Sequence, residues 1–127
     1  MTDAAKNIET NPSTRLIGWL VSYELDAMGK AYEIRSGRTI IGSRRLDASS
    51  IALSHPSISA PHMAIHASET HKLLVQDIFS EHGSFIKRGG SSKEEPFSGP
   101  VEISHGDWIR IGEKTKFQVC LIDGPNS

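Results

Sequence analysis

Between residues 16 and 122 the chain is a succession of short runs in which apolar residues tend to recur at every second position, and no stretch carries the spacing of an amphipathic helix. The first run, 16–25, places Ile17, Trp19, Val21, Tyr23 and Leu25 on one face. Run 31–35 follows with Tyr32 and Ile34 inward, then 38–42, the short 51–53, and a run after Pro61 in which Met63 and Ile65 alternate with His62 and Ala64. Runs 73–78, 85–87, 101–104, 108–112 and 117–122 complete the series. Turn chemistry separates them: Gly29, Ser36-Gly37, the polar 68–71, Gly83, Gly106 and the polar 113–115. The segment 88–98, with Gly89-Gly90-Ser91-Ser92, reads as a loose loop. Many short strands at regular spacing predict an all-β, antiparallel β-sandwich whose loops gather at the sheet ends, where binding surfaces usually sit.

Length bounds this to one domain. At 127 residues there is room for a single core and short tails. The polar segment 1–15 has no apolar face to bury and reads as a flexible tail, residues 16–123 as the domain, and 124–127 as a C-terminal tail. A formal charge of −1 gives no basic field, which argues against nucleic acid as a partner. No run reaches membrane-spanning length and the amino end lacks an apolar signal core, so a cytoplasmic monomer with no membrane contact is the expectation. The single cysteine, Cys120, excludes an internal disulfide and suits a reducing compartment.

The stretch 55–65 is the most distinctive. His55-Pro56 and Ala60-Pro61 fix two φ angles and hold the preceding residues extended, so Ser59 and His62 stand at a rigid strand entrance. A hydroxyl there presents a hydrogen bond outward, and a histidine bonds backward to loop backbone. Around it lie Ile41-Gly42 before a polar loop carrying Arg44 and Arg45, then Glu81-His82-Gly83-Ser84, then His105-Gly106-Asp107-Trp108-Ile109-Arg110-Ile111-Gly112. This order resembles the forkhead-associated (FHA) domain, whose pattern is Gly-Arg, Ser-x-x-His, Asn-Gly and a late Gly-Asp before an apolar strand ending in Gly.

The resemblance covers roughly residues 16–123 and implies an FHA/SMAD-like sandwich of about eleven short strands that grips a phosphothreonine peptide with loops at one end. A phosphate carries nearly two negative charges and needs a guanidinium, hydroxyls and N–H groups converging from different loops. Carried over by position, the resemblance implies phosphopeptide contacts at Ser43, Arg44, Arg45, Ser59, His82 and Ser84, with structural roles for Gly42, His62 and Gly83. Four positions depart from the pattern. Ser43 takes the arginine's place with Arg44 one residue later, Ala60 replaces a polar phosphate contact, and His82 replaces the asparagine. Glu81 sets a carboxylate where a small hydroxyl is common, and within about 4–6 Å it would oppose a phosphate.

The function expected is therefore non-enzymatic recognition of a phosphorylated protein in signalling, without cofactor or metal. The alternative is a degenerate scaffold of the same fold that binds a protein partner independently of phosphorylation; Ser43 and Glu81 favour it, Ser59 and Arg44 oppose it. A zinc site from His55, His62, His66 and His71 lacks ligands at familiar spacing. A hydrolase built from Ser59, His62 and Asp77 lacks a nucleophile elbow. Thr10, in the tail, is a candidate kinase target able to fold back on its own domain, since a short tether gives millimolar effective concentration.

Overall fold

The computed structural model describes residues 14–47 and 50–124. Residues 1–13 of the expected tail, Thr10 among them, and 125–127 lie outside the described residues. Among the described residues there are eleven strands and no helix. They are β1 (Leu16–Ser22), β2 (Lys30–Arg35), β3 (Gly37–Gly42), β4 (Ile51–Ala52), β5 (Met63–Ala67), β6 (Leu73–Asp77), β7 (Ser84–Lys87), β8 (Glu94–Phe97), β9 (Val101–Ile103), β10 (Trp108–Ile111) and β11 (Thr115–Leu121). One sheet has the order β2-β1-β11-β10-β7-β8 and the other β4-β3-β5-β6-β9. Every described pairing is antiparallel except β3 with β4, which run parallel.

The alternation read from the sequence builds the core. Ile34, Ile109, Ile111, Phe117 and Val119 from the first sheet face Ile41, Met63, Ile65, Leu73, Val75 and Ile103 from the second, all buried. Each such side chain contributes about 1.5–3 kcal/mol of transfer free energy. Tyr32 meets Phe117 edge-on, with ring centroids 6.2 Å apart.

Two expectations need correction. In β1 the predicted face was Ile17, Trp19, Val21, Tyr23 and Leu25. The register slips between Leu16 and Gly18, leaving Ile17 unpaired in a β-bulge. The bulge keeps Ile17 buried but turns Leu20 and Ser22 inward, and leaves Tyr23 61% exposed. Gly18 permits the bulge, since a Cβ there would collide with the Cys120 carbonyl oxygen.

The second correction is β8, in the segment read as a loose loop. Its residues are mostly exposed and include Pro96, tolerated because β8 is an edge strand. What holds it is a ladder across β7. Glu94 receives Arg110 Nε and Nη2 at 3.0 and 2.8 Å, and the guanidinium lies 4.0 Å from the centroid of the Phe85 ring between them.

Candidate functional site

Three loops meet at Ser59, on the β4–β5 connection. Its carbonyl oxygen accepts from Ser43 N at 3.0 Å, its N–H donates to His62 Nδ1 at 3.0 Å, and its Oγ accepts from Glu81 N at 2.9 Å. The β3–β4 loop, the entrance to β5 and the β6–β7 loop are thus pinned to one residue. A hydroxyl has one donor and two acceptor sites. The O–H of Ser59 remains available after its oxygen has accepted the Glu81 amide.

His62 is fully buried and makes this junction rigid. Because Nδ1 accepts the Ser59 amide, the ring proton sits on Nε2, which donates to the Gly83 carbonyl at 2.8 Å. Its main chain joins in, with N donating to Ile41 O and O accepting from Ile78 N, both at 2.9 Å. Both ring nitrogens are therefore occupied by backbone, and neither meets Ser59 Oγ. The histidine holds a loop; it is not placed as a base for that hydroxyl, which removes the arrangement a serine hydrolase needs.

Gly42 lets the β4–β5 loop lie directly on the end of β3, since a Cβ at this buried position would stand 3.0 Å from Ser59 O and 3.2 Å from Pro61 Cα. Gly83 turns the β6–β7 loop at φ +88. Beneath that loop Asp77 accepts from Ser80 N at 3.0 Å, Ser80 Oγ at 2.5 Å and Ser84 Oγ at 2.6 Å. Burial pushes the Asp77 carboxyl up, but the serine bonds, the Ser80 amide and the neighbouring His62 outweigh it and hold the group below the ordinary carboxylate range. Asp107, on the β9–β10 turn, behaves alike. Burial raises it, and the amides of Ser104 and Gly89 with Arg88 more than reverse that.

Acid stability follows from these two groups. Their folded values lie below the ordinary 3.8. The stability they contribute is therefore complete above about pH 4 and is lost as pH falls through the lower folded values. Urea midpoints measured from pH 6 down to pH 2.5 should decline through that window, and Asp77→Asn or Asp107→Asn should each flatten the decline.

The structure sorts the predicted contacts. Arg44 and Arg45 are exposed on the β3–β4 loop, and Arg44 makes no hydrogen bond or ion pair with the described residues. Ser50 braces the far side of that loop, its Oγ accepting from Leu46 N and Asp47 N at 3.0 and 2.9 Å. His82 is exposed, with Nε2 3.9 Å from Glu81 Oε1. Ser84, expected as a ligand contact, is instead 1% exposed with its hydroxyl donated to Asp77; it is a packing residue. Lys87 and Arg88, two further cations close in sequence, lie at the opposite end of β7 from Ser84. There Lys87 sits over Trp108, and Arg88 donates to Asp107 and the Glu102 carbonyl. Among the described residues no group of three or more His, Cys, Asp or Glu is arranged to hold a metal.

Asp77, which the sequence offered only as a hydrolase partner for Ser59 and His62, instead braces the β6–β7 loop; its local signal is an Asp followed at the third position by Ser80, a turn-forming pair. Ser57 had none. Its buried Oγ accepts from Glu113 N at 2.9 Å, a partner 56 residues away, and so clamps the β10–β11 turn to the β4–β5 loop. The loop end carries the Ser59 hydroxyl and the exposed Arg44, and its loops also bear the exposed carboxylates of Glu81 and Glu113.

Comparison with known proteins bears on this arrangement. The sequence profile of the family described as FHA domain matches residues 39–112, more than half of the chain. The FHA domain-containing protein PS1 of Arabidopsis thaliana is 43% identical over 67 residues, which is 52% of this chain and 4% of that protein. Among solved structures, the yeast Dun1 FHA domain, in complex with a doubly phosphorylated (pT) peptide derived from Rad53, superposes with a TM-score of 0.69. It shares 23% identity, over 91% of this chain and 81% of its own. The FHA domain of human APLF, in complex with an XRCC1 bisphospho peptide, gives 0.65 at 18% identity, over 83% and 99%. The FHA domain of an Arabidopsis thaliana hypothetical protein gives 0.68 at 24%, over 89% and 92%. At these identities the structural likeness speaks to the fold.

Proposed function

The chain belongs to the FHA domain family, and from that premise we propose that it is a phosphothreonine-recognition module, a binding domain and not an enzyme, acting in signalling. The observation that carries this reading is Ser59, whose backbone and oxygen are fixed by three loops while its O–H stays available beside the loop of Arg44 and Arg45. In this reading Ser59 and Arg44 meet the phosphate, with Ser43 and Arg45 beside them, and the exposed ring of His82 donates to the peptide main chain. Gly42, His62 and Gly83 hold the loops in place. Residues 16–123 form the binding domain, with 1–15 and 124–127 as tails. It works as a monomer, and its one cysteine suits the cytoplasm.

The second reading is phosphate-independent capture of a protein partner by the same loops. Glu81 supports it, since its side chain is 83% exposed and its own amide rests on the Ser59 hydroxyl. Titration with phosphothreonine peptides and their unphosphorylated twins separates the two. Preference for the phosphorylated member supports the first reading, and equal binding supports the second. Arg44→Ala should weaken the phosphopeptide by roughly 1.5–3 kcal/mol, the worth of hydrogen bonds to a charged group, which is a factor of ten or more in Kd. No change would mean that Arg44 is not the phosphate-binding arginine.

A further inference from the structure

The outward face of the β2-β1-β11-β10-β7-β8 sheet carries a groove of about 250 Å³, floored by Trp108 and Arg110 of β10 and bounded by Lys87, Lys116 and Glu94. Arg110 is fully committed there. Its Nε and Nη2 donate to Glu94, its Nη1 donates to the Gly112 and Glu113 carbonyls at 2.5 and 3.1 Å, and its face covers the Phe85 ring. The Arg110 bonds hold Glu94 below the ordinary carboxylate range, and the Lys116 and Lys87 charges add to this against the effect of burial. The Arg110 and Glu94 charges cancel, which leaves the two lysines in surplus. Lys87 Nζ lies 5.9 Å from the Trp108 ring centroid and donates to the Ser91 carbonyl at 3.4 Å. Lys116 is exposed and makes no hydrogen bond or ion pair with the described residues. It is also the cross-strand partner of Arg110. Like charges directly opposite each other destabilise a sheet, and a glutamate at this position would serve folding better. A cation retained against that penalty, beside a second surplus cation and a half-buried indole, marks a surface that attracts an anion.

We propose that this groove binds an extended segment of a partner protein rich in glutamate or aspartate, a contact separate from the loops around Ser59 and independent of phosphothreonine. Charge complementarity and span select the occupant. Lys87 and Lys116 stand on the two strands that flank β10, opposite Trp108 and Arg110 respectively, and so are offset by two residues along the sheet. At about 4.8 Å per strand and about 3.3 Å per residue, their Cα atoms are roughly 12 Å apart. An extended chain covers that distance in about four residues, and its alternate side chains all face the sheet. Two carboxylates of such a segment therefore meet one ammonium each, as charge-assisted hydrogen bonds, with Trp108 between them. A nucleic acid strand fits less well. Base stacking needs a bare ring, and here Phe85 already carries Arg110 while Trp108 carries Lys87.

Fluorescence anisotropy with a short labelled Glu-Gly repeat peptide, beside a Ser-Gly repeat of equal length, tests this. The Glu-Gly peptide alone should bind saturably at low salt, and about 1 M salt, where the Debye length falls to about 3 Å, should abolish it. Lys116→Glu turns an attraction into a repulsion and should weaken binding about tenfold. Because it also removes the like-charge pair with Arg110, it should leave the melting temperature the same or higher. Lys87→Gln should weaken binding about threefold. Lys72→Glu, the same charge change on the β5–β6 turn, should leave it intact. The indole N–H resonance of Trp108 should shift with the peptide while that of Trp19, outside the groove, stays in place. Equal losses in Lys116→Glu and Lys72→Glu would reduce the effect to net charge and overturn the proposal. No saturable binding, or a Trp108 shift matched by inorganic phosphate at equal concentration, would also overturn it. Tighter binding of an oligothymidylate through the same lysines would put nucleic acid in the groove and overturn it too.

Discussion

His62→Ala is expected to lower the unfolding free energy by about 3–5 kcal/mol and to abolish phosphopeptide binding even under conditions where the domain stays folded. The substitution empties a fully buried site and removes the acceptor of the Ser59 amide, His62 Nδ1. The Gly83 carbonyl fares better, because it keeps the Gly112 amide at 3.0 Å. Losses of this size are a large share of the roughly 5–15 kcal/mol that holds a domain together. His62→Asn separates the parts: its side-chain oxygen reaches roughly where Nδ1 was and accepts from Ser59 N, but nothing reaches Gly83. It should fall between the two proteins in urea unfolding. Full stability in His62→Ala would mean that the histidine is not what ties the loops together.

Gly112→Ala should cost about 2–4 kcal/mol and weaken peptide binding as well. A Cβ at this position would stand 2.5 Å from Ser57 Oγ and 2.8 Å from Ser57 O, on a backbone with φ +66. The left-handed conformation alone costs an alanine about 1–2 kcal/mol, and the clash adds to it. Relief requires moving the β10–β11 turn away from Ser57, which strains the Glu113 N to Ser57 Oγ bond and displaces the loop two residues before Ser59. Gly90→Ala is the control. It has a similar φ, +81, with nothing within 4 Å of the added carbon, so it bears the conformational cost alone and should leave peptide affinity intact. Equal destabilisation by the two variants would remove Ser57 from the account.

Most of the fold was legible because the sandwich writes its core as alternation. Ile34, Met63, Ile65, Leu73, Val75, Ile109, Phe117 and Val119 all point inward where period-two reading puts them. The failures have physical causes. One inserted residue at Ile17 reverses the faces of β1, and nothing in the local apolar pattern marks it beyond Gly18. Strand β8 has no apolar face, because it is held by Arg110 acting across β7, a contact that exists only after the sheet forms. Within the site, Ser59 and His62 were legible since their mutual bond spans three residues. Ser57 and Ser84 were not, because a serine's hydroxyl looks the same in sequence whether it faces solvent, a distant amide or a buried carboxylate.

On the reading proposed here, the loops around Ser59 recognise phosphate on threonine. The direct test is amide chemical-shift mapping of the ¹⁵N-labelled protein during titration with a phosphothreonine peptide and with its unphosphorylated twin. Saturable shifts should appear at residues 43–45, 59 and 81–83 with the phosphorylated peptide alone. Identical shifts with both peptides, or none at these loops, would contradict it.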